Sequence, residues 1–283
     1  MSTTYVFYNP LAGNGSCPEE VKRLEGYFGE GCSFCDMTKP ETYGQTLGSI
    51  QPDDKLVICG GDGTLNRIVN LPVQLPSCEI LYYPCGSGND FAHDLGKNRC
   101  DDPFPINKYL AKLPTVTVKG KTSKFINGIG YGIDGYCCEE GDKQRAQSDK
   151  PVNYTSIAIN GLLFHYKPTK ATVTVDGVEH VFEKAWLAPT MNGRFYGGGM
   201  NAAPAQDRLH NETLSVMLFH GAGRIRTLAA FPSIFKGEHI NHKKMVTVLT
   251  GKEIKVSFDS PRALQIDGET VLDVLEYSAK APE

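Results

Sequence analysis

The chain carries no excess of basic charge: 29 Lys and Arg stand against 32 Asp and Glu, a formal net charge of −3 and a sequence pI of about 6.2. A global positive field that would gather nucleic acid or an anionic membrane is therefore excluded, and any lipid contact has to be local. Nowhere do 18 apolar residues run together, which excludes a helical membrane span, and Met1-Ser-Thr-Thr-Tyr5 lacks a charged stretch followed by an apolar one. These absences predict a soluble, cytoplasmic protein. The nine cysteines, at 17, 32, 35, 59, 78, 85, 100, 137 and 138, include one CxxC, Cys32-Ser-Phe-Cys35, without the second pair of a four-ligand zinc site. Most of them read as reduced, buried small hydrophobes, with a redox or metal role for the Cys32–Cys35 pair as the lesser alternative. No internal repeat or low-complexity segment is present, and 283 residues suffice for two ordinary domains.

What is present is glycine in a particular context. The apolar run Lys55-Leu-Val-Ile-Cys59 discharges into Gly60-Gly-Asp-Gly-Thr-Leu-Asn66. Glycines without Cβ let backbone N–H groups converge on an anion at the mouth of the following helix, whose N-terminal dipole favours negative charge. Asp62 would repel a bare phosphate, so the loop points to a magnesium–nucleotide complex; the plainer alternative is a tight turn. Two further segments repeat the pattern: Tyr5-Val-Phe-Tyr-Asn-Pro-Leu-Ala-Gly-Asn-Gly15 and Glu79-Ile-Leu-Tyr-Tyr-Pro-Cys-Gly-Ser-Gly-Asn-Asp90. In a parallel sheet such loops share the carboxyl edge, where ligands bind.

Over residues 1–114, strands near 4–8, 32–36, 55–59 and 79–83 alternate with helices near 18–28, 42–50, 64–70 and 90–95, which predicts a parallel α/β domain. After Pro114 the texture changes. Short alternating runs such as Thr172-Val-Thr-Val175 and Lys252-Glu-Ile-Lys-Val-Ser-Phe258, and the hairpin signal Asp176-Gly177, predict a mainly antiparallel β sandwich over 115–283, interrupted by helices near 152–165 and 224–236. The charged stretch 139–150 shows no periodicity and reads as a mobile loop. The tail, about 270–283, is open to a return to the first domain.

With these loops and Asp267-Gly-Glu269 near its end, the chain resembles the diacylglycerol kinase catalytic-domain family, soluble bacterial lipid kinases related to sphingosine kinases, over nearly its whole length. Asn9-Pro-Leu-Ala-Gly13 matches the family's opening loop and Gly60 to Asn66 its nucleotide loop. Pro84-Cys-Gly-Ser-Gly-Asn-Asp-Phe-Ala92 matches the third, with Ser87 in place of the usual Thr; Asn127 to Asp134 and Asn192 to Met200 are also similar to family segments. The resemblance implies a Rossmann-like domain and a β-sandwich domain, with the active site in the cleft between them. ATP, as co-substrate, would be held by Asn9, Pro10, Ala12, Gly13, Thr38, Gly60, Gly61, Asp62, Gly63, Thr64, Asn66, Gly86, Ser87 and Asn89, with Asp62 and Asp90 on the catalytic Mg2+. Asp90 has the alternative of a helix N-cap, for which Asn89 competes. The acid pair Asp267 and Glu269 would serve as the base toward a lipid hydroxyl, although Ile266-Asp-Gly-Glu269 is also an ordinary hairpin turn. Family members bind a structural magnesium at an Asp-Gly before the strand that begins here near Leu214. This chain reads Gln206-Asp-Arg-Leu-His-Asn-Glu-Thr213, with Asn211 in the aspartate's place and Asp207 or Glu212 as substitutes.

The function expected is thus Mg-ATP-dependent phosphorylation of diacylglycerol or a similar lipid, within phospholipid metabolism. A kinase of a soluble metabolite such as NAD, or a nucleotide-binding regulator without turnover, is the alternative. Lys236 to Lys244 with Arg224 and Arg226 form a basic surface, either solvated or in transient contact with membrane headgroups at the inner membrane face. Phe164, Tyr166, Phe195 and Phe235 serve a lipid pocket and a core equally well. Gly130-Tyr-Gly-Ile-Asp-Gly135 fits GxGxxG without a βαβ unit around it, and His239 and His242 precede two lysines that would repel a cation. Homodimer formation is left open.

Overall fold

The computed structural model describes residues 2–29, 31–148, 152–210 and 212–282, which form two compact units, Met1–Lys112 and Leu113–Glu283. The first runs β1 (Thr4–Tyr8), α1 (Cys17–Val21), α2 (Arg23–Phe28), β2 (Cys32–Asp36), α3 (Pro40–Ser49), β3 (Lys55–Gly60), α4 (Asp62–Val69), β4 (Glu79–Pro84), α5 (Asp90–Asp94), β5 (Phe104–Pro105) and α6 (Asn107–Leu110). Its sheet has the order β2-β1-β3-β4-β5; β1 to β4 are parallel and the short edge strand β5 is antiparallel. Leu56 to Gly60 are all buried, as expected of a central parallel strand covered on both faces. The helix expected near 18–28 is two short ones that meet at Lys22.

The second unit comprises β6 (Thr115–Val118), β7 (Lys121–Lys124), β8 (Gly128–Tyr131), α7 (Ile133–Gln147), α8 (Tyr154–Asn160), β9 (Thr169–Val175), β10 (Val178–Ala185), β11 (Thr190–Met191), β12 (Phe195–Tyr196), β13 (Met200–Asn201), β14 (Leu214–Phe219), α9 (Arg224–Ala230), β15 (Val246–Gly251), β16 (Glu253–Ile266) and β17 (Glu269–Lys280). Helical turns over Gly161–His165, Phe231–Lys236 and Glu238–Asn241 extend α8 and α9. Strand β16 organises the sheet. It pairs with β17 along one side, and on the other with β9 over 254–258 and then with β8 over 264–266, its register shifting between these stretches. Val116, Tyr131, Val173, Val216, Val256 and Tyr277 meet in its core. Asp176 and Gly177 both have positive φ, 47° and 83°, so the β9–β10 hairpin closes through the predicted two-residue turn. The C-terminal strand β17 lies between β16 and β6, so residues 269–280 form part of this unit's sheet.

One expectation is overturned. The stretch from 139 is not a loop: helix α7 runs through Gln147, and residues 149–150 lie outside the described residues. Lys143 pairs with Glu139 and Glu140, and Arg145 with Asp142, one turn apart on the solvent side. Only Ile133, Asp134, Gly135 and Gly141 of this helix are buried, too few apolar residues to show a helical stripe in sequence. Gly135 is where the helix touches the sheet, because a Cβ there would collide with the Ala263 carbonyl of β16.

Asp134, in the first turn of α7, is buried, and its Oδ2 makes no hydrogen bond; the Tyr196 hydroxyl beside it completes none either. Burial pushes the Asp134 carboxyl up to about 7, with Tyr196 opposing only in part. Between the ordinary aspartate range and that value the folded chain keeps a proton that the unfolded chain releases, so stability falls with rising pH across this window and then levels off. Asp134→Asn is expected to raise the melting temperature at pH 8 and to leave it nearly unchanged at pH 4.5, as read by thermal unfolding at both pH values. An equal effect at the two would contradict the buried, protonated carboxyl.

Candidate active site

In a sheet of order 2-1-3-4-5 the chain leaves β1 and β3 in opposite directions, and the crevice above their carboxyl ends is the natural ligand position. The first glycine loop follows β1 and the second follows β3. Asn9 ties them: its N–H donates to the Cys59 carbonyl (3.1 Å) and its Nδ2 to Thr64 Oγ1 (3.4 Å). The third loop, after β4, joins the same rim. The Cys85 and Gly86 amides both donate to the Gly60 carbonyl at 3.1 Å, and the buried Tyr82 hydroxyl donates to it at 3.0 Å. Two glycines make this closeness possible. A Cβ on Gly13, whose φ is 61°, would stand 2.5 Å from the Cys85 carbonyl oxygen, and one on Gly86 would collide with the Gly61 Cα.

Side chains lock the junction. Asn89 is held at φ 54° while its Oδ1 accepts from Gly86 N–H (3.0 Å) and its Nδ2 donates to the Gly86 carbonyl (2.7 Å). Asp62, in the first turn of α4, accepts from the amides of Asp90 and Phe91, each at 2.9 Å. The N-terminus of α5 is thus capped by a carboxylate from the preceding glycine loop, and Asn89, at the N-cap position, makes no side-chain cap bond. Sequence carries no local sign of this, since the cap lies 28 residues upstream.

Of the other residues expected around a nucleotide, Pro10 and Ala12 belong to the first loop, Gly63 and the buried Thr64 and Asn66 lie in α4, and Ser87 is exposed at the tip of the third loop. Thr38 follows β2, the strand beyond β1, where its N–H and hydroxyl both donate to Asp36 Oδ1. These bonds, the Thr38 hydroxyl first among them, hold the Asp36 carboxyl below the usual range against its partial desolvation.

In the second unit, Asp267 and Gly268 have φ of 47° and 95° between Ile266 and Glu269, so the acid pair does sit on a two-residue hairpin turn. The turn is also more than that. The buried Asp267 carboxylate accepts from the backbone amides of Ile126 (2.6 Å), Asn127 (2.8 Å) and Gly128 (3.0 Å). Segment 126–128 is gripped from its other side: the Ile126 carbonyl accepts from Asn192 Nδ2 and Arg208 Nη1, and Asn127 Oδ1 accepts from Arg208 Nη2. Arg208 gave no signal in sequence; Asn127 and Asn192 did, as heads of Asn-Gly segments. Glu269 is exposed at the start of β17.

Asp207 accepts from Leu209 N–H and His210 N–H and contacts the His210 Nδ1 at 2.8 Å, which ties its own turn together. Asn211, paired with it in sequence as a magnesium ligand, lies outside the described residues. Among the described residues no group of three His, Cys, Asp or Glu side chains is arranged to hold a metal. His239 is a core residue that contacts the Ala202 carbonyl, and burial lowers its pKa.

Gly86→Ala is expected to cost roughly 1–3 kcal/mol by overpacking the junction of the second and third loops. Gly48→Ala, inside α3 with open space at its Cβ, is expected to stabilise by up to about 1 kcal/mol. Chemical denaturation of the two variants checks both signs.

Comparison with known proteins matches two family descriptions: "Diacylglycerol kinase catalytic domain" over residues 3–118 and "YegS C-terminal NAD kinase beta sandwich-like domain" over residues 127–281. A Mycobacterium tuberculosis diacylglycerol kinase is 25% identical over 203 residues, 69% of this chain and 64% of that protein. The Bacillus subtilis (strain 168) diacylglycerol kinase is 24% identical over 281 residues, 95% of this chain and 90% of that protein. The alignments with the first relatives span 53% to 64% of those proteins' lengths. A crystal structure titled as a diacylglycerol kinase from Bacillus anthracis str. Sterne superposes with a TM-score of 0.61 at 16% identity, covering 99% of this chain and 94% of that one, which is a likeness of fold. By its matched domains the chain belongs to the diacylglycerol kinase catalytic-domain family, with a YegS-type C-terminal domain.

Proposed function

We propose that the chain is an ATP-dependent lipid kinase, passing the γ-phosphoryl group of a magnesium nucleotide to the hydroxyl of diacylglycerol or a similar lipid. The observation that carries this is the convergence of three glycine loops at the switch point of a parallel sheet, in a chain of this family. Gly13, Gly60 and Gly61 bring no Cβ to this rim, where loop backbone suits phosphate oxygens. Magnesium carried by a nucleotide takes one or two protein carboxylates and completes its shell with phosphate and water oxygens, a demand Asp62 and Asp90 fit. A carboxylate has about four acceptor sites, and capping α5 uses two of those on Asp62. When bound, the metal neutralises charge on the transferred group.

Within the acid pair the two residues take different parts. Asp267 is engaged by three backbone donors and acts as a positioning residue that fixes the turn. Glu269, exposed beside it, is the proton acceptor for the attacking hydroxyl. Glu269→Gln is expected to lower kcat roughly 10²-fold or more with ATP affinity little changed. Asp267→Asn turns an amide donor toward backbone donors and is expected to cost about 1–3 kcal/mol of stability as well as turnover. Phosphorylation of a panel of lipid alcohols and NAD with Mg-ATP is the decisive assay; no labelled lipid from active protein, or label on NAD alone, would reject the lipid kinase.

A water-soluble enzyme with a lipid substrate has to meet a membrane surface. Residues 161–167 and 224–244 carry six Lys and Arg against the single acid Glu238, in a chain of net charge −3. On these elements, which pack in succession from the turn at Gly161–His165 through α9 to Glu238–Asn241, Phe164, Ile225, Phe235 and Ile240 are exposed, Ile225 to 81%. Exposed apolar side chains on elements rich in basic residues suit the headgroup layer of an anionic bilayer, at about 1 kcal/mol per basic residue close to the surface. Sedimentation with vesicles is expected to show binding to phosphatidylglycerol-containing bilayers that weakens with salt and is lost on Ile225→Asp with Lys243→Glu; unchanged binding in that variant would place the contact elsewhere.

A further inference from the structure

Four thiols gather beneath the glycine loops. Cys17 opens α1 directly after the first loop, Cys59 precedes Gly60, and Cys85 follows Pro84 in the third; all three are fully buried in one core cluster, with Cys100 packed against it. Cys17 Sγ and Cys85 Sγ are 2.9 Å apart, although 68 residues separate them in sequence. A disulfide needs about 2.05 Å, so closing the pair requires a movement of about 1 Å. The two sulfurs are also unlike each other. The hydrogen bond from Cys85 lowers the Cys17 thiol pKa against burial and the Glu20 charge, with smaller help from the Asn9 amide and Arg99, while the Cys85 thiol is pushed well up. We assign the attacking role to Cys17, which opens α1 directly after the first loop, and the resolving role to Cys85, 2.9 Å away.

We propose that Cys17 and Cys85 are a redox modification site, which a small hydroperoxide converts into a disulfide that ties the first glycine loop to the third. The Cys17 thiolate attacks one oxygen of hydrogen peroxide, breaking the O–O bond to give a Cys17 sulfenic acid and hydroxide. The Cys85 sulfur then displaces that hydroxyl, forming the S–S bond, and its proton leaves with the hydroxyl as water. In sum two thiols and one peroxide give one disulfide and two waters, with each sulfur losing one electron; a dithiol reverses the change. Because both sulfurs are fully buried, glutathione disulfide is too large to meet them, and the oxidant has to be one small and neutral enough to pass through the packed core. The bond would fix the contact that Gly13 makes with the Cys85 carbonyl, and with it the spacing of two of the loops assigned above to a nucleotide.

The test treats the whole native chain with hydrogen peroxide, blocks remaining thiols with N-ethylmaleimide and digests without reduction. Mass spectrometry is expected to find Cys17 joined to Cys85 as the main cross-link, removed by dithiothreitol and not formed with glutathione disulfide. In Cys85→Ser, or Cys85→Ala if the hydroxyl disturbs the core, dimedone is expected to trap a Cys17 sulfenic acid. The oxidised protein should melt about 5 °C higher, since the bond constrains the unfolded chain. Links from Cys17 or Cys85 to Cys59 or Cys100, both thiols alkylated after peroxide, or a link that lowers the melting temperature would overturn the proposal. None of these readouts involves ATP or a lipid, so failure here is distinct from failure of the kinase assignment.

Discussion

The contact on which the first unit depends is backbone against backbone, where the loop after β3 meets the loop after β4. Gly61 and Gly86 approach too closely for any side chain between them, and the Gly60 carbonyl gathers the Cys85 and Gly86 amides together with the Tyr82 hydroxyl. Such a carbonyl has no further need of water, and the bonds sit over buried strands where an unmade one would be costly. Asp62 and Asn89 finish the junction by holding the start of α5 and the Gly86 peptide. The Gly86 amide, the Gly60 carbonyl and the first amides of α5 are thereby all paired within the protein.

The second unit uses the same device with other parts. One carboxylate, Asp267, collects three successive amides, and Arg208 and Asn192 collect the carbonyl on the far side of the same segment. In both units an aspartate in a glycine turn is a structural acceptor first, and any chemistry it takes part in has to use the acceptor sites that remain. This is the basis of the proposals that the two acids of Asp267-Gly-Glu269 divide their work, and that Asp62 binds backbone and still serves a metal–nucleotide.

Much of this was legible in sequence. The β-rich runs ending in glycine loops, the alternation up to Pro114 and the Asp-Gly hairpins all correspond to elements at the expected places, because each is a local pattern of burial or of positive φ. Helix α7 was not legible. Its solvent face is held by Glu–Lys and Asp–Arg pairs and its buried face is short and partly glycine, so apolar periodicity, the usual signal, is absent.

The sequence by itself determined two domain textures, three glycine loops after strands and an acid pair on a turn, since these are written in residues adjacent along the chain. Only the tertiary structure decided that Asp62 caps a helix 28 residues onward, that Arg208 supports Asn127, and that Cys17 faces Cys85. The physical reason is the same for all three. Each depends on which strand lies beside which, and strand order is set by the packing of the whole sheet, not by any segment of it.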